Sequence, residues 1–362
     1  MRLDILSRHL PAIEGTAAGR VLHAAATGLL AEGADVTVTS WSPEPPGSPG
    51  DLPDWCRWTP LPPEPAWRRR GRAAIRPRSD VVRLGWAPTG LAVADDPLSA
   101  AALPAGGVAT LHYVTELDLA GLRRRASPRD RQDLRAEARV RATTPVLAYS
   151  GRVADWAGGT AIPIPLVIPR QPMAQVEEPV AALVADWRWP PNLVALAALL
   201  DAWSSIRVPG ARLLLAGRGD PRVGTLAGVE VLGPVAQSTD VLSRAAVLAF
   251  PCPDTSGPKV KVLEAAALGL AVITTSAGAE GLDTDALVVA DGTSFAIALT
   301  RALADPAARA ERAARARVQV RAVHAPAPAA RARLAALVRL GALAGTDAAP
   351  HEEHPEQPGD GE

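Results

Sequence analysis

The chain has 362 residues, of which 48% are hydrophobic, and its 38 basic residues balance its 38 acidic ones. This length and apolar content fit two domains with separate cores better than one. A net charge of zero argues against a dedicated nucleic-acid-binding protein, because such proteins usually carry an excess of positive charge.

The first 40 residues show a strand, helix, strand pattern. Leu3–Leu6 is predicted as a strand, a helix ends near Ala31, and Asp35–Ser40 is a second strand, which together form a βαβ unit. The loop between the first strand and the helix contains Gly15 and Gly19. These glycines fit a ligand-binding loop and fit an ordinary turn before a helix equally well.

Residues 41–83 differ in composition from the rest of the chain. They contain many prolines, three tryptophans and the basic run Arg68–Arg72, and we predict mostly loop. Basic and aromatic side chains together could contact anionic lipid headgroups or a glycan acceptor. A solvated insertion with a few packed tryptophans is the simpler alternative.

The remainder of the first half continues the α/β pattern. We predict a strand from Gly90, a helix over Asp95–Leu103, a strand over Val108–Tyr113, a helix over Arg123–Arg141 and a strand over Val146–Ser150. His112 falls at the carboxyl end of its strand, where open α/β sheets bind ligands, although a lone histidine is often structural. The proline-rich residues 162–172 predict an interdomain linker.

The second half repeats the same rhythm. The predicted strands are Val180–Asp186, Ala211–Ala216, Val229–Leu232, Ala246–Phe250 and Ala286–Val289. The predicted helices are one that ends near Trp203, then Thr293–Ala304, Ala307–Val320 and Ala329–Leu343. Pro326 and Pro328 break the helical pattern before the last of these helices. Gly217 and Gly219 are followed by Arg222 where a dinucleotide fingerprint needs a third glycine, which excludes a nicotinamide or flavin site. The acidic tail from Gly345 is expected to be disordered.

The two lysines of the chain, Lys259 and Lys261, lie within three positions of each other. A strand and a loop precede them, and Pro258–Leu268 is predicted as a helix that ends at Gly269. Lysine in a first helical turn opposes the helix dipole, so its presence there indicates a bound anion. Lys261 and Glu264 share one helix face and Lys259 points elsewhere. We expect that pair to face a ligand; a surface salt bridge between them is the alternative.

The segment from Thr255 to Leu282 resembles the donor-site signature of retaining glycosyltransferases of family 4, the group 1 glycosyltransferases. The resemblance implies an α/β, GT-B fold with two Rossmann-like domains facing a central cleft. It implies a metal-independent transfer of a sugar from a nucleoside diphosphate-sugar to a hydroxyl acceptor. In that family the glutamate that matches Glu264 binds the ribose, and basic residues and helix N–H groups hold the diphosphate.

The resemblance also gives the candidate site. The candidate catalytic residues are His112 and Lys261, and the candidate substrate-binding residues are Gly15, Asn192, Gly233, Val235, Ser256, Gly257, Pro258, Lys259 and Glu264. The chain departs from the family at Ser256, where a second glutamate is common, and at Ala185, where glycine is usual. Two alternatives therefore stay open: a catalytically inactive GT-B protein that acts as a partner or regulatory subunit, and a nucleotide-sugar epimerase.

The domain boundaries follow from these elements. We predict an acceptor-side domain over 1–165, a linker over 166–178, a donor domain over 179–325, a helix over 326–344 and an acidic tail over 345–362. Two distant cysteines, Cys56 and Cys252, indicate a reducing compartment. Charge interrupts the start of the chain too early for a secretory signal. We expect a cytoplasmic protein and leave open a peripheral contact at the inner face of the membrane.

Overall fold

The computed structural model describes residues 1–13, 15–43, 45–46, 52–61, 81–282 and 287–344, with side chains up to residue 341. The acidic tail and much of the proline- and arginine-rich segment lie outside the described residues. The predicted disorder of that tail and the predicted lipid or acceptor contact of residues 41–83 therefore stay predictions.

In the described residues, strands from the first half of the chain form one parallel sheet. They are β1 (Arg2–Ser7), β2 (Asp35–Ser40), β3 (Cys56–Trp58), β4 (Leu91–Ala94), β5 (Val108–Leu111), β6 (Val146–Ala148) and β7 (Thr160–Ala161), in the order β3-β2-β1-β4-β5-β6-β7. The order reverses between β1 and β4, and ligands of open parallel sheets bind at such reversals.

The second half of the described chain forms a second parallel sheet. Its strands are β8 (Val180–Val184), β9 (Arg212–Ala216), β10 (Val229–Gly233), β11 (Val247–Phe250), β12 (Ala271–Thr274) and β13 (Val288–Val289), in the order β10-β9-β8-β11-β12-β13. The reversal here lies between β8 and β11. Strands such as Leu213–Ala216 are fully buried, as expected for parallel strands covered on both faces.

Helices cover both sheets. Those with described bounds are α1 (Ala17–Ala31), α2 (Thr115–Gly121), α3 (Pro128–Thr143), α4 (Gly151–Ala157), α5 (Pro190–Ser204), α6 (Thr239–Leu242), α7 (Val260–Leu268), α8 (Ser294–Ala304), α9 (Pro306–His324) and α10 (Pro326–Ala344). Within the part of the chain that the structure describes, no helix is long and apolar enough to cross a bilayer.

Several predicted element boundaries in the first half were wrong for physical reasons. Asp95–Leu103 is not an α-helix but contains a short 3-10 turn, because the Asp96 carboxylate accepts hydrogen bonds from the Leu98 and Ser99 N–H groups. The basic helix begins at Pro128 instead of Arg123, because Ser127 and Asp130 form a capping box. Residues 41–83 include the edge strand β3, which the loop prediction missed.

The last two helices also differ from the prediction. Pro326 and Pro328 break the helical structure for one residue only, since α9 continues to His324 and α10 begins at Pro326. Proline is accommodated in a first helical turn, where its missing N–H would have no partner in any case. Helix α10 then packs on α1, where the backbone of Pro326 occupies the space beside Gly28. Helix α10 thus returns to the first domain.

Two buried arginines of α9 hold the chain between the sheets in place. Arg317 donates to the carbonyl oxygens of Pro169 and Arg170 at 2.8 and 3.0 Å, and Arg309 donates to those of Val176 and Glu177 at 3.1 Å each. An extended, proline-rich backbone does not supply N–H donors of its own to these carbonyl oxygens. The arginines supply the donors and fix the path of the linker.

Candidate functional site

The loop between β11 and α7 ends in a helix N-terminus that no side chain caps. Lys259 stands at the N-cap position with an extended backbone, its side chain makes no capping bond, and the first turn contains no acidic residue. The first N–H groups of α7 therefore keep their capacity to bind an anion. The helix begins at Val260, two residues later than the sequence predicted.

Lys261 is a partly buried cation beside this helix start. Its Nζ donates to Asn192 Oδ1 at 2.8 Å and lies 4.3 Å from the centre of the Phe250 ring. Asn192 is itself buried in the first turn of α5 and donates to the Asp186 carbonyl oxygen at 2.8 Å, which fixes its orientation. Burial lowers the pKa of Lys261 to about 8. Keeping the Lys261 ammonium charged at this position therefore costs solvation free energy.

Glu264 bridges the two halves of the protein. Both of its carboxylate oxygens accept from Arg20, at 2.6 Å from Nε and 2.8 Å from Nη2, and Arg20 Nη1 also donates to the Gly15 carbonyl oxygen at 2.5 Å. Thr16 caps α1 through the Gly19 N–H and thereby places Arg20 in the first turn. The alternative prediction of a Lys261–Glu264 salt bridge was wrong, because Glu264 pairs with Arg20.

Sequence reasoning did not include Arg20 among the site residues. The available signal was an arginine at the start of the helix that follows the Gly15 loop. Its partner is 244 positions away in the chain, so no local pattern could reveal the pairing.

The ammonium of Lys259 is engaged within its own loop. It donates to the carbonyl oxygens of Thr255 and Ser256 at 3.1 and 3.0 Å and to that of Gly257, and the residue is 8% exposed. A substrate contact by this side chain would require these bonds to break. The direction predicted from helical spacing, away from Lys261 and Glu264, agrees with this placement.

Ser256 and Gly257 hold the loop between β11 and α7 against the first domain. The Ser256 hydroxyl donates to Asp118 Oδ1 at 2.7 Å and accepts from the Val114 N–H at 2.8 Å, and the Ser256 N–H donates to the same carboxylate at 2.6 Å. Gly257 has φ of +75° and lies against the His112 carbonyl oxygen. We call Val114, Asp118, Ser256 and Gly257 the domain clasp. Burial raises the pKa of Asp118.

Replacing Ser256 by alanine should lower the stability of the protein by about 1–3 kcal/mol, because a buried carboxylate and a buried N–H each lose a partner. Denaturant unfolding measures this loss. Ser204→Ala is the matched control, because the Ser204 hydroxyl donates to the Asp201 carbonyl oxygen at an exposed position. Equal stability of the two variants would show that the clasp contributes nothing.

His112 directly follows β5 and lies beside the clasp. Its Nε2 is 3.3 Å from Asp95 Oδ1, and its ring meets Tyr149 edge to face with centres 4.8 Å apart. Burial alone would raise the pKa of Asp95, but the nearby positive charges of His112 and Arg333 outweigh burial, and the net shift is downward. A carboxylate that stays ionised holds the imidazole in place. Sequence reasoning missed Asp95, although it directly follows a buried strand.

The remaining candidate site residues do not lie together. Gly15 has φ of +106° and Gly233 has φ of +74°, and both have open space where a Cβ would stand. Val235 is partly buried against the core, and Pro258 lies beside Gly281. In the described residues, no hydrogen bond or ion pair joins Gly233 or Val235 to the groups around Lys261. The structure therefore brings together Asn192, Lys261, Glu264 and the Gly15 loop, with His112 beside Ser256 and Gly257.

Comparison with known proteins finds a family match in the second half of the chain. Residues 178–305 match the family model described as Glycosyl transferases group 1. This stretch is a group 1 glycosyltransferase domain. The match contains α5, α7 and the loop between β11 and α7, so Asn192, Lys261 and Glu264 all belong to the group 1 domain.

Solved structures extend the likeness to the whole chain. WaaG, a glycosyltransferase involved in lipopolysaccharide biosynthesis, is 16% identical, with a TM-score of 0.65 over 93% of this chain and 99% of its own. HepE of Anabaena, in complex with UDP and glucose, is 14% identical, with a TM-score of 0.60 over 95% and 98%. The trehalose 6-phosphate synthase of Burkholderia multivorans is 12% identical, with a TM-score of 0.61 over 98% and 99%.

At these identities the solved structures show the fold. The group 1 domain is the second of two Rossmann-like domains, and the predicted α/β, GT-B fold is confirmed. The comparison with curated protein sequences finds no match.

Proposed function

We propose that this protein transfers a sugar from a nucleoside diphosphate-sugar to a hydroxyl acceptor with retention of the anomeric configuration. One observation carries the proposal: the start of α7, which no side chain caps, has the Lys261 ammonium in its first turn, and Glu264 on the next turn pairs with Arg20 of the opposite domain. Cations and free N–H groups suit a diphosphate, and a carboxylate suits the two hydroxyls of a ribose. The group 1 domain match and the UDP bound by HepE support this class of donor.

The proposed chemistry requires stabilisation of the departing diphosphate. The bond between the anomeric carbon and the phosphate oxygen breaks, and its electron pair goes to that oxygen. The acceptor oxygen forms the new bond on the same face, and its proton passes to the departing phosphate. Lys261, Arg20 and the N–H groups of α7 supply fixed positive charge where negative charge develops. His112, held by Asp95, is proposed to contact the transferred sugar.

Donor binding is proposed to change the partner of Glu264. In the structure this carboxylate accepts from Arg20 in a bidentate pair. A ribose bound at Glu264 would replace the guanidinium with two hydroxyl donors. Arg20, beside the Gly15 loop, would then be free to pair with the diphosphate, and guanidinium groups bind phosphate well.

The affinity for a nucleoside diphosphate should fall as the pH rises above about 8. The ammonium of Lys261 carries its charge below its pKa of about 8 and loses it above that value. The terminal phosphate, with a second pKa of about 6, is fully ionised above neutral pH and adds no opposing change. Calorimetric titration with UDP between about pH 6.5 and 9.5 measures the effect. The same titration of Lys261→Met should show a flat profile, and a flat profile in the wild type would contradict the assignment.

Turnover with a panel of UDP-, GDP- and ADP-sugars, with and without hydroxyl acceptors, tests the proposed function. A transferase releases the nucleoside diphosphate and attaches the sugar to an acceptor. An epimerase converts its donor with no acceptor present. Binding of a donor without any turnover would instead identify an inactive GT-B protein.

One observation favours that inactive alternative. The position where the family commonly has a second glutamate is Ser256, whose hydroxyl is committed to Asp118 and Val114 in the clasp. That position therefore supplies no carboxylate toward a donor sugar. Restoring the family residue with Ser256→Glu would break the clasp, so the panel on the wild-type protein is the sharper test.

A further inference from the structure

Arg333, in α10, is buried in surroundings that are unusual for a cation. The residue is 3% exposed. Its Nη2 donates to Thr110 Oγ1 at 2.7 Å and its Nη1 donates to Tyr149 Oη at 3.3 Å, while its Nε has no partner among the described residues. Both partners are neutral hydroxyls. In the described chain, no carboxylate lies within 4.0 Å of the guanidinium.

A buried cation without an adjacent anion is costly, and a long apolar side chain would fill the same space without that cost. The other buried arginines of the second domain have a structural reason, since they donate to several backbone carbonyl oxygens. Arg333 has no such role in the described residues. Its guanidinium instead stands in the part of the first domain that surrounds His112.

Both groups that contact the His112 imidazole are influenced by Arg333. Tyr149, which meets the imidazole edge to face, receives a hydrogen bond from Arg333 Nη1. Asp95, which lies 3.3 Å from His112 Nε2, is completely buried, and the positive charge of Arg333 helps to keep it ionised. Thr110, the other hydroxyl that Arg333 contacts, lies in β5 two residues before His112.

We propose that Arg333 is a positioning residue for His112, acting through Tyr149. Helix α10 thereby completes the site at the carboxyl edge of the first sheet. The role of His112 at a transferred sugar rests on the proposed function, whereas the effect of Arg333 on the imidazole does not.

The direct test is an NMR spectrum of the His112 ring in the full chain at one fixed pH, with the ring signals assigned by their loss in His112→Gln. Arg333→Met should displace these signals, because the Tyr149 ring that packs edge to face on the imidazole loses the hydrogen bond that holds it. Arg333→Lys, which keeps a donor, should return the signals toward their wild-type positions. Arg309→Met is the matched control, because Arg309 is also 3% exposed but lies in the second domain.

The control should lower stability and leave the signals of the His112 ring unchanged. Unchanged signals in Arg333→Met, or an equal displacement in Arg309→Met, would overturn the proposal. Should Arg333→Met not fold, Tyr149→Phe removes the hydroxyl that Arg333 contacts and keeps the ring. A displacement of the His112 signals is expected from it as well, and its absence is equally decisive.

A second measurement uses turnover of whichever donor the panel identifies. Arg333→Met should lower kcat about 10-fold with little change in KM, and Arg333→Lys should recover part of the loss. An unchanged kcat alongside displaced signals of the His112 ring would overturn the positioning role. An absence of turnover in the wild-type protein would count against the proposed function alone, since the NMR measurement needs no substrate.

Discussion

Replacing Lys261 by methionine should weaken the binding of a nucleoside diphosphate about 30-fold, which corresponds to about 2 kcal/mol. The lost group is a partly buried ammonium that Asn192 and the Phe250 ring hold beside the N-terminus of α7. In such surroundings a charge-assisted hydrogen bond to phosphate is worth more than at an exposed position. Calorimetric titration with UDP measures the change.

The same substitution should leave the folded protein at least as stable at neutral pH. Burial lowers the pKa of Lys261 from 10.5 to about 8, so the unfolded chain binds the proton more tightly than the folded one. The cost of keeping the lysine charged is therefore fully present below about pH 8, and stability rises as the pH increases from about 8 to 10.5. Methionine carries no such cost.

Lys259→Met provides the contrast within the same loop. The ammonium of Lys259 satisfies three loop carbonyl oxygens, so this variant should lower the melting temperature. Loss of affinity without loss of stability should be specific to Lys261. Unchanged UDP affinity in Lys261→Met would remove Lys261 from the site.

Replacing Gly257 by alanine should separate the two domains at the clasp. A Cβ at this position would stand 2.1 Å from the His112 carbonyl oxygen and 3.2 Å from Tyr113 Cβ, and the backbone φ is +75°. Backbone atoms cannot yield as a flexible side chain can, so the loop or the domain must move. We expect a loss of about 2 kcal/mol or more in the free energy of unfolding.

Gly233→Ala isolates the conformational part of this effect. Gly233 has nearly the same φ, +74°, and open space where the Cβ would stand. Its alanine variant should therefore cost only about 1 kcal/mol. Small-angle scattering should show a larger radius of gyration for Gly257→Ala and no change for Gly233→Ala. Equal costs and equal scattering would contradict the role given to the clasp.

The fold could be predicted because its signals are local. Buried runs such as Leu213–Ala216, alternating with amphipathic helices, indicate parallel strands wherever they occur in a chain. Helix boundaries were predicted wrongly where one residue type is found both at the end and at the start of helices. Proline ends a helix and also begins one, so Pro326 looked like an interruption and is the start of α10.

The candidate site was only partly predictable. Helical spacing separated the face of Lys261 and Glu264 from that of Lys259, and lysine in the first turn of a predicted helix indicated an anion site. The partners that decide what each group does come from distant segments. Arg20 at Glu264 and Asp118 at Ser256 are 244 and 138 positions away from the residues they bind. No single-segment pattern carries such pairings.

We propose that the cleft between the two domains binds a nucleotide-sugar and moves its sugar with retention. NMR can identify the first sugar product formed from an α-linked nucleoside diphosphate-sugar, with water or an added alcohol as acceptor. The product should appear first as the α-anomer, and Glu264→Ala should abolish its formation. Formation of the β-anomer would exclude retention, and undiminished turnover in Glu264→Ala would remove Glu264 from the site.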